Sequence, residues 1–393
     1  MPRGSEDARE IEGNDTLAPD KKENITMKPV DLSKFRKDIT KGLDGISVGF
    51  NDPKYWVSTG NFALNYAVSG DFTKGIPLGK VTMFAGQSGS GKSYLASGNL
   101  VKNAQDAGYF VVLIDSENAL DSDWLTALDV DVSEDKLLKI NAAMIDDVAK
   151  IISDFMKNFK STYASTPRED RPKVLFVVDS LGMLLTPTDV NQFEAGEMKG
   201  DMGRKPKALN ALVRNCVNMF GEWDVGLVAT NHSYASQDMF DPDDKITGGQ
   251  GFIYASSIVL AMRKLKLKED ADGNKTTTVN GIRSQIKIMK TRYNKPFETV
   301  ELRIPWDSGL DPYSGLLDMF EAKGLFVKDG NKLKYTALDG TEHKYFRKQI
   351  GHELLDLVML EFPTHIERRE AAEAAARAEE LARLAAEDAA ENE

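Results

Sequence analysis

Residues 80–93, KVTMFAGQSGSGKS, run a short apolar stretch directly into Gly86, Gln87, Ser88, Gly89, Ser90, Gly91, Lys92 and Ser93. Glycine at 86 and 91 lets the backbone turn tightly and aim its N–H groups inward, and the spacing predicts a helix over 92–105 whose positive end faces the same point. That arrangement suits a nucleoside triphosphate. Backbone N–H groups would cradle the phosphates, Lys92 would reach the β- and γ-phosphates, and the Ser93 hydroxyl would ligate Mg²⁺. A second element of the site is Asp179, which ends the apolar run VLFVVD and could orient the Mg²⁺ through a water. A third is Glu117 in IDSENAL, where a glutamate either polarises the water that attacks the γ-phosphate or is simply solvated in a loop.

These groups need a rigid frame. Buried strands are expected at 81–85, 109–114, 174–178 and 225–230, each a short run rich in Val, Ile, Leu and Phe. Helical patterns separate them, such as Met144, Val148, Ile151, Ile152 and Phe155, and this alternation predicts an α/β fold with a mostly parallel central sheet. Alternating runs at 255–267 and 277–289 flank a charged turn and predict a hairpin added to that sheet. The core is expected over 56–307. A small α+β unit is expected at 308–365, read as a helix, a hairpin and a helix within 316–362. An acidic tail rich in Ala, Glu and Arg follows at 366–393, expected as a solvated helix or a disordered, fraying end. Residues 1–30 are polar and without apolar period, as in a disordered arm. The segment 31–55, with Leu32, Phe35, Ile39 and Leu43 at helical spacing just after Val30, would pack on this core or on a neighbouring subunit and is expected to serve oligomerisation.

Composition narrows the possibilities further. The chain has 393 residues, a net charge of −11 and one cysteine. An apolar run of roughly 18–20 residues, as a membrane span needs, is not found, nor is a secretory leader at the N-terminus. Cys216 cannot form an internal disulfide, and it falls in the helical pattern Leu209, Leu212, Val213, Cys216, Phe220 as a core residue without chemistry. A reducing, cytoplasmic setting is expected. The acidic balance argues against nucleic-acid binding over the whole surface, so any DNA site must be local.

The phosphate-binding loop from Gly86 to Ser93 (the P-loop), IDSENALD, VVDS, the pair Asn231-His232 and the Thr247-Gly248-Gly249 triplet together resemble the RecA family of DNA strand-exchange ATPases. Within it the chain is most similar to the UvsX recombinases of bacteriophages, through NHSYASQDMF, GGQGFIYAS and DSGLDPYSGLLDMFEAKGLFV. The resemblance covers roughly 57–362. It implies ATP and Mg²⁺ as cofactors and Glu117 as the residue that activates water. It implies Trp124 on the adenine face, Asp121 against the base, and His232 as sensor of the γ-phosphate. Lys290 and Arg292 would reach across a subunit interface to the neighbour's ATP. Two loops, 182–206 and 233–251, would face DNA. The first would carry Met202 as a wedge beside Gly203, followed by Arg204, Lys205, Lys207 and Arg214 on phosphates. The second would end in Thr247, Gly248 and Gly249.

The activity implied is ATP-dependent assembly of a helical filament on single-stranded DNA, with pairing and exchange against double-stranded DNA. Such a protein serves recombination, repair and recombination-dependent replication, assisted by a single-strand-binding protein and a recombination mediator. Two other readings stay open at this level: a hexameric helicase built on the same core, and a DNA-binding paralogue that assists a recombinase without exchanging strands.

Overall fold

The computed structural model describes residues 51–197, 203–234, 245–247, 250–269 and 274–391. Outside the described residues lie the expected N-terminal arm, the 31–55 segment up to residue 50, and the site candidates Met202, Gly248 and Gly249.

Strands β1 (Trp56–Val57) and β2 (Ile76–Pro77) pair with each other across helix α1 (Phe62–Ser69). Among the described residues, nine strands then build one sheet. They are β3 (Val81–Gly86), β4 (Phe110–Asp115), β5 (Leu137–Asn141), β6 (Val174–Asp179), β7 (Val225–Tyr234), β8 (Lys245–Ile246), β9 (Ile258–Leu267), β10 (Gly281–Lys290) and β11 (Thr299–Pro305). Between them run α2 (Leu100–Asp106), α3 (Ser122–Ala127), α4 (Ile145–Thr162), α5 (Pro187–Glu194), α6 (Arg204–Phe220) and α7 (Gln250–Ala255). The strand order is β11-β10-β9-β3-β7-β6-β4-β5, with β8 paired to β7. From β5 to β9 every pairing on that path is parallel, while β10 and β11 are antiparallel additions. The expected α/β fold with a mostly parallel sheet is what forms.

Period two explains why these strands are continuous apolar runs. Phe84, Leu113 and Val177 enter the core on one face, and Met83, Val112 and Phe176 enter a second core on the other. Strands buried on both sides need no polar alternation. Helix α4 shows the complementary rule, burying Ile145, Val148, Ile152, Met156 and Phe159 at steps of three and four. Cys216 is buried in α6, and desolvation pushes its thiol up to about 12, in keeping with a core residue.

The helix expected after the P-loop is present, with a π-helical stretch at Tyr94–Asn99 before α2. The expected hairpin is β9 and β10, and β11 extends it by one strand that the sequence reading did not separate. The C-terminal unit also departs from the helix–hairpin–helix expectation. After α8 (Leu316–Ala322), β12 (Phe326–Asp329) and β13 (Lys332–Thr336) acquire a third strand, β14 (Glu342–Tyr345). Its sequence, EHKY, is short and polar, so it carries no alternation to find. Helix α9 (His352–Glu391) then runs through Pro363 without a break, so the boundary drawn at 365 falls inside one helix. A proline there forfeits one backbone hydrogen bond. Phe362, buried just before it, and Ile366, packed on the same core just after it, lie on either side of the proline.

Candidate functional site

The carboxyl ends of β3, β4, β6 and β7 converge on one edge, the place where open parallel sheets bind ligands. The P-loop leaves β3 there. Gly89 and Gly91 adopt φ +70° and +95°, left-handed conformations that side chains resist. Gly86 is needed for a different reason: a Cβ on it would stand 2.4 Å from the Met262 carbonyl oxygen and 2.7 Å from Ser90 Oγ. Lys92 is 7% exposed, and its ammonium donates to the carbonyls of Gly86 at 2.9 Å and Gln87 at 3.0 Å. Burial lowers its pKa, opposed by the charges of Asp179 and Glu117.

Asp179 ends β6 at 4% exposure. Its carboxylate accepts from Ser97 Oγ at 2.8 Å and from Thr230 Oγ1, which fixes it beneath the P-loop helix. Ser97 lies one turn beyond Ser93 on that helix. The Asp179–Ser180 peptide is cis. Ser180 in turn donates from Oγ to Glu117 Oε1 at 2.8 Å, and His232 Nε2 stands 3.5 Å from the same oxygen. Three strand ends thereby meet at one carboxylate.

The loop that presents Glu117 is held by Asp115, a residue the motif reading passed over. Asp115 is buried, accepts from the backbone N–H groups of Glu117, Ala119 and Leu120, and pairs with Lys139 at 3.2 Å. Such a buried charge is tolerable because it is so fully bonded. Its position two residues before Glu117 was the available signal.

His232 is level with Gly86 in the β7–β3 register. Its carbonyl accepts from Thr247 N and Thr247 Oγ1, both at 3.0 Å. Asn231 Nδ2 donates to the Thr247 carbonyl at 2.7 Å, and Thr247 Oγ1 lies 3.0 Å from Asn231 Oδ1. Strand β8 pairs with the end of β7, Ser233 opposite Ile246 and Tyr234 opposite Lys245. The base of the second expected loop is therefore clamped to the residues beside the P-loop.

Asp121 caps α3, accepting from Trp124 N at 2.7 Å. Trp124 lines a cleft of about 700 Å³ together with Tyr94, Leu128, Trp306 and Leu310. Trp306 is 68% exposed and was not picked out from the sequence, because 182 positions (306 less 124) separate it from Trp124. The segment that follows β11 is tied to the P-loop helix by the Leu310 N–H, which donates to Tyr94 Oη at 3.0 Å, and the two indoles line one cleft beside that bond.

Lys290 and Arg292 lie elsewhere. Strand β10 runs against β3, so its last residue sits toward the amino edge of the parallel strands. Lys290 Nζ donates to the carbonyls of Ile253 at 3.2 Å and Tyr254 at 2.7 Å, closing the end of α7. Burial lowers its pKa, and the nearby Arg292 lowers it further. Arg292 is exposed and has no ion-pair partner among the described residues. The two edges are about 17 Å apart for the six residues of β3, too far for either cation to reach its own P-loop.

On the first expected loop, residues 187–194 form α5, opened by a Thr186–Asp189 capping box. Gly203 takes φ +84° ahead of α6. Arg204, Lys207 and Arg214 project opposite the buried face of α6, which carries Leu209, Leu212, Val213, Cys216 and Phe220. Lys205 turns to the other side and donates to the Gly182 carbonyl at 2.7 Å. Arg204 Nη1 donates to Thr188 Oγ1 at 3.0 Å, which leaves Lys207 and Arg214 as the outward cations of the group.

The P-loop fits a triphosphate on this geometry. Three glycines clear the cradle, Lys92 stands in it, and Ser90 Oγ is buried without a protein partner. Among the described residues no three His, Cys, Asp or Glu side chains converge as a metal site. Ser93 and Asp179 are the residues that would hold a Mg²⁺ ion bound with the phosphates. No helix among the described residues is long and apolar enough to cross a membrane.

Comparison with known proteins agrees with this fold. The family model described as the RecA N-terminal domain matches residues 51–311. The chain is similar to Protein RecA of Rhodococcus jostii (strain RHA1), 27% identical over 323 residues covering 81% of this chain and 85% of that protein. It is similar to Protein RecA of Streptomyces coelicolor, 26% identical over 283 residues, 71% of this chain and 68% of that one. Protein RecA of Chlorobium chlorochromatii (strain CaD3) is 27% identical over 289 residues, 73% of each.

Proposed function

The chain belongs to the RecA family, and from that premise we propose that it is an ATP-dependent recombinase of the bacteriophage UvsX type. It assembles as a helical filament on single-stranded DNA, pairs it with homologous duplex and exchanges strands. The observation that carries this reading is the continuous path from Glu117 through His232 and Asn231 to Thr247. It joins the carboxylate beside the P-loop to the base of the second loop, so that events at one can be felt at the other.

Bound Mg²⁺ and ATP would supply the phosphoanhydride and the charge that neutralises it. The chain's own residues do the rest. Lys92 exchanges its carbonyl partners for phosphate oxygens. Glu117, held by Ser180 and by the loop that Asp115 fixes, accepts a proton from the attacking water. His232 reports whether the γ-position is filled and passes that to Thr247 through its own carbonyl. Trp124 and Trp306 flank the base, and Asp121 keeps α3 in place beneath it. Lys290 and Arg292 act on a neighbouring protomer's phosphates, which ties hydrolysis to filament assembly. Met202, Gly203, Arg204, Lys207 and Arg214 on the first loop, and Thr247, Gly248 and Gly249 on the second, contact DNA through its backbone, giving salt-sensitive binding with little sequence preference. The work is done in the cytoplasm, with a single-strand-binding protein and a mediator governing access to the strand.

A joint-molecule assay with circular single-stranded DNA, homologous linear duplex, ATP and Mg²⁺ tests this reading. Exchange by the wild-type chain and none by Lys92→Ala is the expected result. Closed rings that unwind duplex would turn the assignment to a helicase. DNA binding without exchange would turn it to an assisting paralogue.

A further inference from the structure

We propose that Lys264 is a second cation of the triphosphate site, supplied in cis by β9. The inference rests on the nucleotide-binding reading and adds a residue to it. The P-loop does not stand free above the sheet edge; it lies on one face of β9, β10 and β11. Met262 approaches Gly86. Ser284 Oγ donates to the Ser90 carbonyl at 2.7 Å. The Cδ1 methyls of Ile282 and Ile304 each stand 3.4 Å from where a Cβ on Gly91 would be. Side chains two apart on a strand share a face, and Lys264 follows Met262 on β9 with Ser284 opposite it on β10. Its ammonium lies 2.9 Å from the corresponding Cβ position on Gly89.

Of these neighbours Lys264 alone is charged. The others are apolar or offer a hydroxyl, as a supporting surface would. Lys264 has no ion-pair or hydrogen-bond partner among the described residues. It presses against a glycine in the left-handed conformation, in a loop whose N–H groups already gather positive potential. A cation placed against such a nest with no carboxylate beside it gains nothing from the protein. A polyanion seated in the loop supplies the missing partner, and the absence of a side chain on Gly89 keeps the approach open. Lys92 reaches the same cradle from the helix side, so the two ammonium groups would grip the phosphates from the helix and from the strand. Arg292 and Lys290, at the far edge, would come from another protomer. Lys264 does not wait for assembly.

The distinguishing prediction is that nucleotide affinity depends on Lys264 before any filament forms. The full-length chain, without DNA and at a dilution where it is not assembled, is titrated with a fluorescent ATP analogue and Mg²⁺. Lys264→Met is expected to weaken binding about tenfold, the size of one charge-assisted hydrogen bond, and to flatten its salt dependence. Lys264→Arg keeps the charge and is expected to stay within about twofold. Lys264→Gln provides a second neutral variant, and thermal melts of all three verify folding. Wild-type affinity in both neutral variants overturns the proposal, as does an equal loss in Lys264→Arg, which would assign the effect to packing. Weakened DNA binding with nucleotide affinity intact would place Lys264 on the nucleic acid and also overturn it. A wild-type chain that failed to bind the analogue would remove the nucleotide reading itself, a different and separable result.

Discussion

The two edges of the central sheet are built to opposite standards. At the carboxyl edge, Asp115, Asp179, Ser180, Asn231 and Thr247 all have hydrogen-bond partners, and the charges named there, Lys264 apart, are buried or paired. At the amino edge, Arg292 is exposed and unpaired among the described residues, and Lys290 spends its donors on the backbone of α7. The first is a network whose internal hydrogen bonds one chain supplies. On the function proposed above, the second would serve as a half-site whose cations meet an anion on a neighbouring protomer. A buried, fully bonded network fixes geometry before a ligand arrives, whereas exposed cations contribute once a partner removes them from water.

Breaking the carboxyl edge should cost most. Glu117→Gln preserves shape and hydrogen bonding but removes the base, so hydrolysis is expected to fall by about 10²- to 10⁴-fold with nucleotide affinity nearly unchanged. A steady-state ATPase assay beside a binding titration checks this, and an unchanged turnover would take Glu117 out of the reaction.

The half-site should fail in a different way. Arg292→Ala and Lys92→Ala are each expected to be inactive in DNA-stimulated hydrolysis. Equal mixtures should recover activity at the interfaces, about a quarter of them, that join an intact P-loop to an intact Arg292 in a head-to-tail assembly. No recovery on mixing would mean that the two edges do not meet across subunits.

Asp115→Asn probes the support rather than the chemistry. Lys139 loses its buried partner and the Glu117 loop loses an anionic acceptor, so a destabilisation of about 2 kcal/mol is expected in urea unfolding, together with slower hydrolysis. Stability equal to wild type would show that the loop is held by other contacts. The smallest effect is expected on the outer face of α6. Replacing Lys207 or Arg214 by alanine should lower the salt slope of single-strand binding by about one each without altering sequence preference. A slope that did not move would place the DNA elsewhere.

Much of this was legible in the chain. The strands β3, β4, β6 and β7 announce themselves because burial on both faces demands unbroken apolar runs, and the P-loop because its glycines answer a backbone requirement that no other residue meets. Strand β14 was not legible, being short and polar, and neither was the continuation of α9 through Pro363, where Phe362 and Ile366 pack on the core on either side of it.

Part of the site was likewise present in the sequence: the loop from Gly86 to Ser93 forms from contacts within a few residues, whereas Glu117 and Asp179 could be named there but are held by Ser180, Ser97 and Thr230 from distant segments. Tertiary structure alone decided that Trp306 shares a cleft with Trp124, that Ser180 and His232 meet at Glu117, that Lys264 lies on Gly89, and that Lys290 and Arg292 stand at the wrong edge for their own P-loop. Each of these depends on strand order and direction, and order is set by how the whole sheet buries its two faces. A parallel sheet gathers distant strand ends at one edge and sends an antiparallel addition to the other, and no local pattern records which strands will be neighbours.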